Sequence, residues 1–120
     1  MILGVGLDLA DIDRIARAIE KPRFLERIYS EEERDAIQRK GAQTAAGYWA
    51  AKEAVAKALG TGFRGFNMWD ISIHNDELGK PEAILKNGAL NRLSELGGTL
   101  TISITHSGGF AAAVAILSSD

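Results

Sequence analysis

The 120-residue chain contains no cysteine. That absence excludes disulfides, thiolate metal sites and a cysteine nucleophile, and it suits a reducing, cytoplasmic setting. There is no strong excess of either charge. The formal net charge is −2, so no global field draws the chain to nucleic acid or to an anionic membrane. No apolar run approaches the roughly 18 residues of a membrane span. The opening residues, Met1-Ile2-Leu3-Gly4-Val5-Gly6-Leu7-Asp8, lack a basic segment, and the acid at position 8 cuts their apolar run short, unlike a signal peptide. Internal repeats, low-complexity tracts and interdomain linkers are also missing. What remains is an ordinary globular composition, 46% hydrophobic and 25% charged. It is long enough for one domain over residues 1–120, with a core that needs no metal or disulfide staple.

Residues 2–9 alternate as a strand, with Leu3, Val5, Leu7 and Leu9 on one face and Gly4, Gly6 and Asp8 on the other. The leucine–valine face is expected to be core. A helix follows from about Asp11, with Ile12, Ile15, Ala16 and Ile19 as its buried stripe. Pro22 punctuates it, and Phe24, Leu25 and Ile28 suit a short second helical segment. Ser30 before Glu31-Glu32-Glu33 is a capping box for a helix that runs to about Lys40 and stops at Gly41. A longer helix is expected over about 43–59. Beyond a loop with two glycines, Ile71 and Ile73 mark a strand, residues 75–81 a turn and residues 82–86 its partner strand. An amphipathic helix over 87–96 ends at Gly97-Gly98. Strands over 99–106 and 110–117 flank Ser107-Gly108-Gly109, a hairpin signal. The sum is an α+β fold: a single compact domain with a mostly antiparallel sheet of about five strands packed against helices.

The central helix carries the most informative charges. Residues 45–59 contain three, Lys52, Glu53 and Lys57, whereas residues 30–40 contain seven. A helix so apolar on most sides is expected to be covered on most sides, which makes its charges harder to read as a solvated edge. Glu53 precedes Lys57 by four, which also makes an ordinary helix pair worth about 0.2–0.5 kcal/mol. The functional alternative brings Glu53 to Asp8. Gly4 and Gly6 offer no side chain, so a backbone or a ligand can approach that strand face closely, with Asp8 at its end. Two carboxylates with phosphate oxygens and waters suit Mg²⁺. Lys57, one turn after Glu53, would sit beside such a phosphate, and Gly60-Thr61-Gly62 would offer it backbone N–H groups and a hydroxyl. The loop leaves a helix C-terminus, whose partial charge is negative, so lysine and metal must supply the positive field.

Two further clusters stand out. Arg14, Arg17 and Lys21 recur at i, i+3 and i+7, opposite the isoleucine stripe, and Arg23 and Arg27 follow. Residues 14–27 hold five basic and two acidic side chains, which suits either a wet helix face or a dock for an acidic partner. Phe24 beside them is either an anchor or core. In Thr101-Ile102-Ser103-Ile104-Thr105-His106-Ser107, hydroxyls alternate with isoleucines and His106 falls at the strand end, where it is either a hydrogen-bonded structural residue or a contact for a phosphate or base.

Together these segments resemble the holo-[acyl-carrier-protein] synthases, the small bacterial 4′-phosphopantetheinyl transferases. The matching segments are Gly6-Leu7-Asp8 with Arg14 after it, Trp49 to Gly62 with its Lys52-Glu53-Ala54 core, Asp70-Ile71 followed by Gly79-Lys80-Pro81, and Ser103-Ile104-Thr105-His106 with the alanine-rich last strand. The resemblance implies transfer of the phosphopantetheine arm of coenzyme A to a serine of an apo-acyl-carrier protein, releasing 3′,5′-ADP, in support of fatty acid biosynthesis. It implies Mg²⁺ held by Asp8 and Glu53, and Lys57 on the phosphates, with these three as the catalytic set. It places Gly60, Thr61, Gly62, Lys80, Pro81, Thr105 and His106 around coenzyme A. It makes Arg14, Lys21, Arg23, Phe24 and Arg27 the carrier-protein dock. It also implies a homotrimer with sites between subunits. On this reading Glu53, or a water it orients, takes the serine proton, and His106 binds. Two positions depart from the pattern: Tyr48 stands where many members have arginine, and Phe110 where tyrosine is common. From the residues alone, a Mg²⁺-dependent phosphoesterase acting on a nucleotide or coenzyme and a non-catalytic carrier-binding module remain the alternatives.

Overall fold

The computed structural model describes residues 1–120. The elements follow in the order β1 (Ile2–Asp11), α1 (Ile12–Ala18), α2 (Pro22–Ile28), α3 (Glu31–Lys40), α4 (Ala42–Ala58), a 3₁₀ turn (Met68–Asp70), β2 (Ile71–Asn75), β3 (Pro81–Leu85), α5 (Asn87–Leu96), β4 (Thr99–Ser107) and β5 (Phe110–Ser118). The five expected strands are present and every pairing is antiparallel, but they form two sheets, β1-β5-β4 and β2-β3. Local chemistry sets the helix ends as the sequence suggests. Asp11 accepts the Arg14 N–H at 3.1 Å and caps α1. Ser30 and Glu33 exchange both hydrogen bonds of a capping box. Gly41, at φ 92°, ends α3 and starts α4.

The core lies between α4 and the inner face of the three-stranded sheet. Small residues set how closely they meet. A Cβ on Gly6 would lie 1.8 Å from the Ala54 carbonyl oxygen, and one on Gly4 would lie 2.1 Å from that of Ala58. The backbone of β1 therefore rests directly on the C-terminal half of α4. At the other end of the helix, a Cβ on Gly47 would lie 3.1 Å from both His106 Nε2 and Ile104 Cγ2, so this half crosses over β4. Between them Ala111, Ala113 and Ala115 of β5 are buried beneath the helix alanines. The glycine face of β1 is thus the packed one. Its other face contradicts the expectation of core: Leu3, Val5, Leu7 and Leu9 are 39%, 56%, 66% and 63% exposed. The alternation was sound, but leucine and valine cannot approach a helix backbone as glycine does, so the bulky face was turned outward.

The second sheet and α3 are tied to α4 through one buried ion pair. Lys52 Nζ lies 2.7 Å from Glu33 Oε1, with both side chains fully buried. The same ammonium donates to the carbonyls of Met68 at 3.1 Å and Ile71 at 2.5 Å, which uses its three N–H bonds. Glu33 Oε2 accepts the Ile73 N–H at 2.8 Å. Burial pulls the Lys52 ammonium below the usual lysine range, and Glu33 opposes that pull.

Candidate active site

Asp8 is the next inward-facing residue of β1 after Gly6. Its strand position is fixed by pairing with Ala113 of β5. Because Gly6 seats β1 on Ala54, Asp8 comes beside the residues that flank Ala54 on α4. Lys57 Nζ lies 3.2 Å from Asp8 Oδ1 and donates to the Leu7 carbonyl at 2.9 Å. Asp8 is 17% exposed and the Lys57 side chain 51%, so the ammonium is accessible while the carboxylate lies deeper. Glu53, one turn earlier, is partly buried. Burial pushes its carboxyl above the usual carboxylate range, the charge of Asp8 adds to that rise, and Lys57 opposes it. Asp8 of β1 thus meets Lys57 of α4, and the charges of both are felt by Glu53 one turn earlier on that helix.

Two partly shielded carboxylates that repel one another, with one lysine paired to Asp8, form a site short of positive charge. The donor set is all oxygen. No cluster of three or more His, Cys, Asp or Glu side chains gathers around it. It fits a hard cation that takes only one or two protein carboxylates and completes its shell with waters and phosphate oxygens, as Mg²⁺ does, and it does not fit a closed protein cage.

The other expected residues divide between four places. Gly60, Thr61 and Gly62 form the loop beyond α4, with Gly60 at φ 83° and Gly62 at φ 59°. Thr61 Oγ1 donates to the Gly62 carbonyl at 3.1 Å, so its hydroxyl proton is turned into the loop. Pro81 and His106 line a separate cleft with Lys40, Thr44, Tyr48, Asn75 and Gly79. There His106 Nε2 lies 3.0 Å from the Gln43 carbonyl oxygen, and the Tyr48 hydroxyl donates to Asn75 Oδ1 at 3.3 Å. Burial raises the Tyr48 phenol above the usual tyrosine range, Glu33 adds to the rise and Arg39 opposes it. Lys80 is exposed, and its backbone closes the β2–β3 turn on Asp76.

Thr105 is not in that cleft. It alternates with His106 and lies on the outward sheet face, in one row with Ala112 and Leu9. Thr105 and His106 therefore do not share a cleft within one chain, because neighbours on a strand point to opposite faces. The His106 cleft also stands apart from the carboxylates. Gly47 and Lys57 are ten residues apart on α4, about 15 Å along the axis.

The basic residues Arg14, Arg17, Lys21, Arg23 and Arg27 are all exposed. Arg14 and Arg17 share α1, but that helix ends at Ala18, so Lys21 belongs to the elbow before α2 and not to a continuous helical stripe. Phe24 is packed on one side and partly open on the other. It stacks on Trp49 with ring centroids 5.7 Å apart and meets Tyr29 edge-on at 6.1 Å, yet it also lines the surface cavity shared by Lys21, Arg23 and Arg27. Sequence reasoning missed Glu33 as the partner of Lys52. It was visible only as the third residue of a capping box, although a lysine in an apolar helix demands some buried acceptor.

Residues 4–115 match the family model of the 4′-phosphopantetheinyl transferase superfamily. The chain is 42% identical to the holo-[acyl-carrier-protein] synthase of Fusobacterium nucleatum, over 98% of this chain and 99% of that protein. Its fold is similar to the crystal structure of the Neisseria meningitidis synthase, with a TM-score of 0.90, 33% identity and coverage of 99% and 100% of the two chains. It is likewise similar to the Helicobacter pylori synthase solved in complex with coenzyme A, with a TM-score of 0.84, 32% identity and coverage of 95% and 99%. Given a match over nearly the whole length and the meeting of Asp8, Glu53 and Lys57, the chain belongs to the 4′-phosphopantetheinyl transferase superfamily, among the holo-[acyl-carrier-protein] synthases.

Proposed function

We infer that the chain moves the 4′-phosphopantetheine arm of coenzyme A onto a serine of an apo-acyl-carrier protein and releases 3′,5′-ADP. The observation that carries this reading is the convergence of Asp8, Glu53 and Lys57 in a chain of this family. In the reaction the serine oxygen forms a bond to the pantetheine-side phosphorus, and the bond from that phosphorus to the ADP oxygen breaks. Such a transfer asks mainly for positioning and charge neutralisation. Lys57, held between the Leu7 carbonyl and Asp8 with half its surface open, meets the charge that grows on the leaving ADP. Ionised Glu53, whose surroundings raise its affinity for a proton, or a water that it orients, accepts the proton that the serine loses. Mg²⁺ held by Asp8 and Glu53 would supply the remaining positive charge on the pyrophosphate.

We further propose that the working unit is a homotrimer with coenzyme sites between subunits, in the cytoplasm. The apolar face of β1 supports this, since a patch of Leu3, Val5, Leu7 and Leu9 is costly to leave in water. The separation of the two clusters along α4 supports it too. The His106 cleft encloses only about 190 Å³, against roughly 300–1,000 Å³ for pockets that bury a drug-sized ligand. A neighbouring subunit on the outward sheet face would bring Thr105, and its own His106 cleft, toward the carboxylates. No helix is long and apolar enough to cross a membrane, in keeping with this setting. The exposed face of Arg14, Lys21, Arg23 and Arg27 with Phe24 would dock the acidic carrier.

Mass spectrometry of the carrier tests the reading. The chain is incubated with coenzyme A, Mg²⁺ and an apo-carrier protein. A phosphopantetheine adduct with one equivalent of 3′,5′-ADP is expected. ADP release without an adduct would mean hydrolysis, and carrier binding without either product would mean a non-catalytic module.

A further inference from the structure

The loop Gly60-Thr61-Gly62 leaves α4 at its C-terminus, where unpaired carbonyls concentrate negative charge. An anion placed there meets the wrong end of the helix dipole. The structure supplies a cation at this point that the site described above does not use. Arg92 on α5 donates from Nε to the carbonyl of Leu59, the C-cap of α4, at 3.0 Å. Its Nη1 donates to Glu95 Oε2 at 3.3 Å. A guanidinium has five N–H bonds in a fixed planar fork, and these two contacts leave both N–H bonds of Nη2 without a partner in the chain. Nη2 lies over the loop, 3.6 Å from where a Cβ on Gly60 would stand. Gly60 has φ 83°, a backbone conformation that favours glycine. The Arg92 side chain is 30% exposed, so the free end of the fork remains reachable.

We propose that Arg92 is a phosphate-contacting residue of the transfer site. It neutralises the C-terminus of α4 through Leu59 and presents Nη2 to the pyrophosphate of coenzyme A above the Gly60-Thr61-Gly62 loop, with Lys57 three residues before it on the same chain end. This rests on the transferase reading and adds a cation to it. It also removes the electrostatic objection to a phosphate at that loop, since the dipole is offset where the anion arrives.

Isothermal titration of coenzyme A, and of coenzyme A lacking its 3′-phosphate, into the full chain and into Arg92→Gln and Arg92→Lys tests it, with melting temperatures measured in parallel. Loss of a charged hydrogen bond to phosphate is expected to weaken both ligands about tenfold in Arg92→Gln, by the same factor for each because both carry the pyrophosphate. Arg92→Lys keeps the charge and the fold and is expected to lose less. A lower melting temperature with unchanged affinity would mean that Arg92 only caps α4, and would overturn the proposal. Weakening confined to intact coenzyme A would move the contact to the 3′-phosphate and would overturn it as well. Failure of the natural chain to bind either ligand would instead overturn the transferase reading, and this inference with it.

Discussion

Lys52 and Glu53 are neighbours in sequence and opposites in role. Lys52 is spent inside the fold on Glu33 and two carbonyls. Glu53 is held half in water beside Asp8, against its own ionisation. Substitutions should separate them. Lys52→Met leaves the buried Glu33 charge without its partner and is expected to cost about 3–5 kcal/mol, measured by urea denaturation. Glu53→Gln is expected to cost no stability and, in the metal-free chain at neutral pH, to raise the melting temperature. The sign follows from the raised carboxyl. As pH climbs from the ordinary glutamate value near about 4.3 toward the raised one, the unfolded chain gives up this proton while the folded chain keeps it, and stability falls. The gain from Glu53→Gln should therefore be present above that window and vanish below about pH 4. A gain that persists at low pH would assign it to something other than this titration.

At the scale of elements, the close seating of β1 on α4 decides everything near the site. Gly6→Ala forces a methyl group into the Ala54 carbonyl, and backbone cannot step aside as a side chain does. Overpacking typically costs about 1–3 kcal/mol, and here it should reach or exceed the upper end while parting Asp8 from Glu53. Retained stability together with retained transfer would contradict the contact. This contact also explains what the sequence made legible. Capping residues, the hairpin glycines and the apolar character of α4 are local signals, and the elements follow them. Asp8 on a glycine-lined face and Glu53 on a covered helix were enough to suggest their meeting. The inward direction of that face was not legible, because alternation alone does not say which face is packed and a leucine face is the usual choice. The Lys52–Glu33 pair and the reach of Arg92 to Leu59 were equally hidden, since they join elements whose approach no spacing encodes. On α1, Arg14→Glu is expected to weaken carrier binding severalfold at low ionic strength and much less at high salt. An affinity unchanged at both would remove Arg14 from the dock.

For the whole molecule, the proposed trimer would tie the exposed face of β1 to activity. The natural chain is expected to sediment at three times its 12.9 kDa mass. Leu7→Asp, which sets a charge amid Val5, Leu9 and Val114, is expected to sediment as a folded single chain with transfer reduced by at least an order of magnitude. A fully active monomer would contradict sites shared between subunits. The most direct test of the central claim, that the Asp8–Glu53 pair performs the transfer, is the mass of an apo-carrier protein after incubation with coenzyme A, Mg²⁺ and either the natural chain or Glu53→Gln, each first shown to be folded. The account expects the phosphopantetheine adduct with the natural chain and none with folded Glu53→Gln. Full adduct formation by Glu53→Gln would contradict it.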